Sequence, residues 1–180
     1  MNNPVFNQPI NRRLQHAPLN RQRGLASVEF AIVGLVTLTI LFMAIEMGRM
    51  LFTLNTLAEV TRRGARVAAV CTVDNPAISR IAIFNDAATA GPSPILGKLT
   101  TSNIRVEYLA KNGGVLTDYA GAGNEDTYTQ IEYVRVSVVG YQHRLIIPGL
   151  SLSIIAPEYP TTIPRESLGV PKPGQTSTCA

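Results

Sequence analysis

From Leu25 to Ile45 the chain reads LASVEFAIVGLVTLTILFMAI, an apolar run whose one charge is Glu29. Wound as a helix at about 1.5 Å per residue, such a run spans roughly 30 Å, the hydrocarbon thickness of a bilayer. A domain the size of the remaining chain rarely surrounds so long an apolar helix on all sides. Residues 25–45 are therefore expected to be a transmembrane segment in contact with the lipid bilayer.

Charge and composition exclude other classes. At 46% hydrophobic and 16% charged residues, the chain is too apolar for a disordered protein and too low in charge for a coiled-coil rod. The net charge of +4 invites a nucleic-acid reading. However, residues 1–24 hold Arg12, Arg13, Arg21 and Arg23 and no acid, which leaves equal numbers of bases and acids in the rest. The basic character belongs to a polar N-terminal arm rather than to a binding face, so no nucleic-acid partner is expected.

The helical pattern continues past the apolar run. From Glu46 to Val70 there is no Pro. Met47, Met50, Leu54, Leu57, Ala65 and Ala68 recur mostly at steps of three or four, one face of a helix. Arg49, Asn55, Glu59, Arg62, Arg63 and Arg66 lie largely off that face. Glu59 can reach Arg62 or Arg63 at helical spacing, for a few tenths of a kcal/mol. One helix from about Leu25 to Val70 is expected, with residues 46–70 as its amphipathic continuation. Gly34, Gly48 and Gly64 are places where it can bend or be approached closely. Arg62, Arg63 and Arg66 are expected to form a solvated face.

The overall expectation is an α+β fold, with the long helix followed by a small sheet-containing exported domain over residues 71–156. Pro76 to about Ala90 reads as a short helix. Ile104, Val106 and Tyr108 alternate with Arg105 and Glu107 as a half-buried strand, and Asn112-Gly113-Gly114 makes a turn. Asp118–Thr127 is a Gly-rich polar loop. Val134, Val136 and Val138 mark the strongest strand. Pro148-Gly149 makes another turn, before a last strand through Leu150, Leu152 and Ile154. Residues 157–180, with Pro157, Pro160, Pro164, Pro171 and Pro173, read as an extended tail that cannot supply a central strand. With so little apolar content, the tail is not expected to dock firmly unaided.

Four arginines precede the apolar run, so the positive-inside rule leaves the N-terminus in the cytoplasm and exports residues beyond about 46. The inner, cytoplasmic membrane is the expected location. A conventional secretory signal would end in a small-x-small cleavage site after the run. Met43-Ala44-Ile45-Glu46-Met47 fits that poorly. A better cleavage site lies before the run, between Gly24 and Leu25, where the missing Cβ of Gly24 lets the backbone enter a protease cleft in extended form.

That arrangement resembles the type IV prepilin leader site, in which a peptidase cuts after Gly and Glu is the fifth residue of the mature chain. Residues 21–70 more narrowly resemble the TadE-like proteins of tight-adherence (Tad) pilus systems. The shared features are Val28-Glu29-Phe30-Ala31, Glu46-Met47-Gly48-Arg49, and Arg63-Gly64-Ala65-Arg66 with Ala68-Ala69. Beyond them, only the strand-rich pattern and Tyr141…Pro148 are similar. Many members carry Pro early in the apolar run, where this chain has Gly34-Leu35. The resemblance implies a cytoplasmic leader over residues 1–24, removed by a prepilin peptidase. It also implies packing with other pilin-like subunits through Glu29 and Phe30, and a pilus assembly platform as a further partner.

The physics of Glu29 stands beside the resemblance. A carboxylate inside an apolar span costs a few kcal/mol and marks function by default. Cleavage at Leu25 creates an ammonium four residues away, on the same chain or a neighbour, as its natural partner. Alternatively Glu29 snorkels to the headgroups, being about 6 Å from the start of the span.

Other chemistry is thinly supported. His16 lies in the leader, and His143 reads as a surface or strand-edge residue. No nucleophile motif surrounds Cys71. Asp118, Glu125 and Asp126 lack calcium-loop spacing, so a solvated loop is the plainer reading. Gly121-Ala122-Gly123 has no strand–helix context and no basic partner for phosphate. No cofactor, metal site or enzyme activity is expected. Cys71 and Cys179 both lie on the predicted exported side, where an oxidising compartment favours pairing. A buried free Cys71 or an intermolecular bridge are the alternatives.

The sequence thus points to a minor pilin or pseudopilin-like component of a Tad pilus, acting in pilus biogenesis and surface adherence. The rival expectation is an uncleaved single-pass envelope protein whose outer domain binds a ligand or partner.

Overall fold

The computed structural model describes residues 22–117, 129–146, 152–169 and 179. The chain divides into two compact units, residues 1–42 and 43–180. One helix, α1 (Gln22–Val70), runs through both. It starts three residues before the expected Leu25, so Gly24 is already helical. The expected turn at Pro148-Gly149, the Gly-rich loop at 118–127, Leu150 and His16 lie outside the described residues.

In the first unit the apolar side chains of α1 face outward. Leu25, Phe30, Leu35 and Ile40 are 73%, 80%, 68% and 62% exposed. Thr37 and Thr39 return their hydroxyls to the carbonyls of Val33 and Leu35, at 2.8 and 2.7 Å. That satisfies both groups without water or a partner, as a helix in lipid requires.

The second unit is built on the rest of α1. Two apolar clusters lie against it. One holds Leu57, Val60, Ala82, Ile83, Leu99, Val138 and Tyr141. The other holds Ala65, Ala68, Ile78, Tyr108, Val134, Val136 and Leu168. Met47, expected on the buried face, is 59% exposed. Thr53, Thr56 and Thr61 are buried on α1 instead, each with its hydroxyl donating to a carbonyl one turn back.

After α1 the chain turns through Asp74, which adopts positive φ. The Asp74 amide donates to the Tyr108 hydroxyl at 3.3 Å. Asn75 then caps α2 (Pro76–Ala82) by accepting from the Ala77 amide at 2.9 Å, with Pro76 in the first turn. Such a cap contributes about 1 kcal/mol. The helix stops at Ala82, well short of the expected Ala90. Phe84, two residues on, takes positive φ, which no helix continues through.

Four strands, β1 (Ile104–Leu109), β2 (Val115–Leu116), β3 (Tyr133–Val138) and β6 (Thr161–Pro164), form one antiparallel sheet in the order β2-β1-β3-β6. The alternation read in β1 and β3 turns Val134, Val136, Val138 and Tyr108 inward. A separate two-stranded ribbon joins β4 (Gln142–Arg144) to β5 (Ser153–Ile155).

The Pro-rich tail behaves differently from the expectation. Thr161–Pro164 joins the sheet as an edge strand beside β3, a position that Pro tolerates because one edge needs no donor. Beyond it Leu168 is buried. The amides of Glu166, Leu168 and Gly169 donate to the carbonyls of Ala69 and Val70. The tail thereby satisfies carbonyls that the end of any helix leaves without intrahelical partners. Gly169 has positive φ, and a Cβ there would run into Thr72, so only glycine fits.

Candidate functional site

The residues singled out in the sequence fall into three places on α1. The first is the exposed apolar stretch. Gly24, Leu25, Glu29 and Phe30 are all exposed, and among the described residues Glu29 has no ion pair or hydrogen bond. Leu25 and Glu29 are one helical turn apart, so a terminal ammonium at Leu25 would rise beside the carboxylate. Gly24 is wound into α1 rather than extended. A protease would have to open the first turn, where the missing Cβ of glycine makes helix loss cheap.

The second place is a polar cluster inside the second unit. Glu46 and Arg49 are one turn apart, and Arg49 Nη1 donates to both carboxylate oxygens of Glu46, at 2.9 and 2.7 Å. Arg49 thus turns toward the buried side at Glu46, not away from it as the helical pattern implied. His143, expected at the surface, is 7% exposed. Its Nε2 lies 3.3 Å from Glu46 Oε1, and its Nδ1 lies 3.2 Å from Thr53 Oγ1. An ionised carboxylate only accepts, so Nε2 carries the hydrogen, and the single hydroxyl hydrogen of Thr53, within reach of both the Arg49 carbonyl and Nδ1, goes to one of them at a time.

Burial alone would raise the Glu46 pKa. Hydrogen bonds from Arg49 and the Ile146 amide, the Arg49 charge and the His143 contact outweigh it and hold the carboxyl below its ordinary value. Tyr141, in the apolar cluster above, has its hydroxyl pKa raised by burial, with the Arg49 charge a smaller opposing influence.

Nothing in the sequence had placed His143 and Thr53 in this cluster. The signal within reach was the pairing of a lone His with a lone acid at the end of an apolar run, but nothing local links residues 97 apart.

The third place is the Arg63-Gly64-Ala65-Arg66 stretch. At Gly64 both the sheet and the second helix come close to α1. A Cβ there would meet Ala82 Cβ and Val136 Cγ1, each at 3.0 Å. By contrast Gly34 and Gly48 face open space. Arg63 lies over the Phe84 ring at 5.3 Å, Arg62 pairs loosely with Glu59 at 3.8 Å, and Arg66 is exposed. At the helix end, Cys71 and Cys179 are joined in a disulfide with Cα atoms 5.3 Å apart. Among the described residues no group of His, Cys, Asp and Glu could hold a metal ion.

No curated protein and no solved structure matches the chain. The family model for TadE-like protein matches residues 24–66. The matched stretch begins at Gly24, includes the Glu46–Arg49 pair and ends at Arg66, just past the close approach at Gly64. Residues 24–66, the exposed apolar helix and the first part of its packed continuation, are thus a TadE-like segment of a pilin-like, Tad pilus-associated kind.

Proposed function

We propose that this chain is a minor pilin or pseudopilin-like component of a Tad pilus, acting in its biogenesis and in surface adherence. The observation that carries the reading is the TadE-like match lying on an exposed apolar helix, with a leader-type Gly24 at its start. In this reading α1 anchors the chain in the inner membrane, with residues 1–24 cytoplasmic and the sheet domain outside. Prepilin peptidase cuts after Gly24. Glu29 and Phe30 then pack against pilin-like subunits, and the assembly platform acts on the same helix. The Glu46–His143 cluster and Gly64 hold the outer domain on its own stretch of α1, so that the domain is presented as one piece.

The test is the N-terminal sequence of the protein recovered from cells with an active prepilin peptidase. Leu25 as first residue is expected. Retention of Met1 overturns the pilin reading. It would leave the second one, an uncleaved single-pass protein with a binding domain outside, which the helical winding of Gly24 favours.

A further inference from the structure

The ribbon of β4 and β5 descends along α1 toward the apolar run. Three ties set its course. Tyr141 packs in the cluster of Leu57 and Val60, His143 bonds Thr53 and Glu46, and the Ile146 amide bonds Glu46. An extended chain covers about 16–17 Å from Tyr141 to Ile146. The helix covers about the same distance from Leu57 back to Glu46. Ile146 therefore arrives level with Glu46, the first charge after the apolar run. Leu152 shares that level, because the Leu145 amide donates to its carbonyl at 3.0 Å.

At this level the unit exposes apolar side chains on both elements. Ile146 is 66% and Leu152 50% exposed, beside Ile45 at 58% and Met47 at 59% on α1. Directly above, a groove of 490 Å³ is lined by Lys98, Asn103, Gln142, Arg144 and Ser153, with Leu152 among its walls. Among the described residues neither Lys98 nor Arg144 has an ion pair. Arg144 stands about 7 Å above Ile146 along the strand.

We propose that the ribbon is a second bilayer contact: Ile146 and Leu152 enter the lipid interface, and Lys98 and Arg144 hold lipid phosphate above them. The inference rests on the anchoring of α1 in a membrane, not on cleavage or pilus assembly. The occupant follows from continuity and charge. The patch begins where the apolar run ends, and a cationic groove over an apolar edge is the layering of an interface-bound element on anionic lipid. The contact would set which face of the outer domain, packed as it is on its own stretch of α1, meets the membrane surface.

The chain has no Trp, so one introduced Trp reports alone. The full chain carrying Ile146→Trp or Leu152→Trp is reconstituted in vesicles of phosphatidylcholine and phosphatidylglycerol, with bromine at shallow or deep acyl positions. Shallow bromine should quench both variants. Deep bromine should quench Leu35→Trp, at the middle of the apolar run, and neither should quench Val115→Trp at the far end of the sheet. If Ile146→Trp and Leu152→Trp behave like Val115→Trp while Leu35→Trp is quenched, the ribbon contact is overturned and the anchor stands. If Leu35→Trp is also unquenched, the anchor fails and the contact with it. Adding Lys98→Gln and Arg144→Gln should lower the shallow quenching of Ile146→Trp by about twofold, through lost attraction to anionic lipid. Unchanged quenching overturns the phosphate role.

Discussion

His143 bridges Glu46 and Thr53, two residues seven apart on one face of α1, with a ring nitrogen 3.3 Å from Glu46 and the other 3.2 Å from Thr53. The imidazole thereby ties β4 to the first polar turn after the apolar run. Arg49 completes the cluster from the same helix. The Glu46-Met47-Gly48-Arg49 motif acquires a physical account: the i, i+3 spacing brings a guanidinium onto a carboxylate that also receives the imidazole.

Replacing His143 should loosen this tie. His143→Ala removes both bonds and leaves a gap between β4 and α1. A loss of about 1–3 kcal/mol is expected, read by denaturant unfolding of the detergent-solubilised chain. Adding Thr53→Val should cost less in the His143→Ala background than alone, because the two share one hydrogen bond. Full additivity would show that the contact carries no coupling.

Acid should act through Glu46. Its folded pKa lies below the ordinary 4.5. Its contribution is therefore complete above pH 4.5 and is lost as pH falls through the folded value, because the unfolded state binds protons first. Glu46→Gln should flatten the pH dependence of the melting temperature below that point. An acid profile identical to wild type would remove Glu46 from the account.

Gly64 and Gly48 should respond oppositely. At Gly64 a branched side chain has to displace Val136 on a central strand, so Gly64→Val should cost about 1–3 kcal/mol. Gly48 faces open space, so Gly48→Ala should stabilise by up to about 1 kcal/mol through helix propensity. Thermal melts of the two variants check both signs.

The disulfide and the tail should separate. Closing a loop of this length contributes about 4–5 kcal/mol in the chain-entropy description. Cys179→Ser should lower stability, yet β6 should stay protected in hydrogen exchange, since Thr161–Pro164 pairs with β3 and Leu168 is itself buried. Loss of protection across residues 161–164 would make the bond the only clamp.

Glu29→Gln should leave membrane insertion intact, because the span only becomes more apolar. It should reduce co-fractionation with pilin-like subunits if a charge pair joins them. Unchanged co-fractionation would leave Glu29 as a residue that reaches the headgroups.

What the sequence determined alone is what local periodicity encodes. The apolar run, the continued helix to Val70 and the inward Val134, Val136 and Val138 each repeat a short-range pattern that chain geometry converts directly into one face. The buried place of His143 and the edge strand at Thr161–Pro164 were decided only in three dimensions. Each depends on a partner about 30 to 100 positions away or on the path of the chain between them. A histidine at a strand end is exposed or buried according to what descends beside it, and that was settled by packing the ribbon against α1. The tail shows the same division: its prolines excluded a central strand, but the vacant edge of β3 and the unpaired carbonyls of Ala69 and Val70 supplied hydrogen-bond partners that no local pattern could reveal.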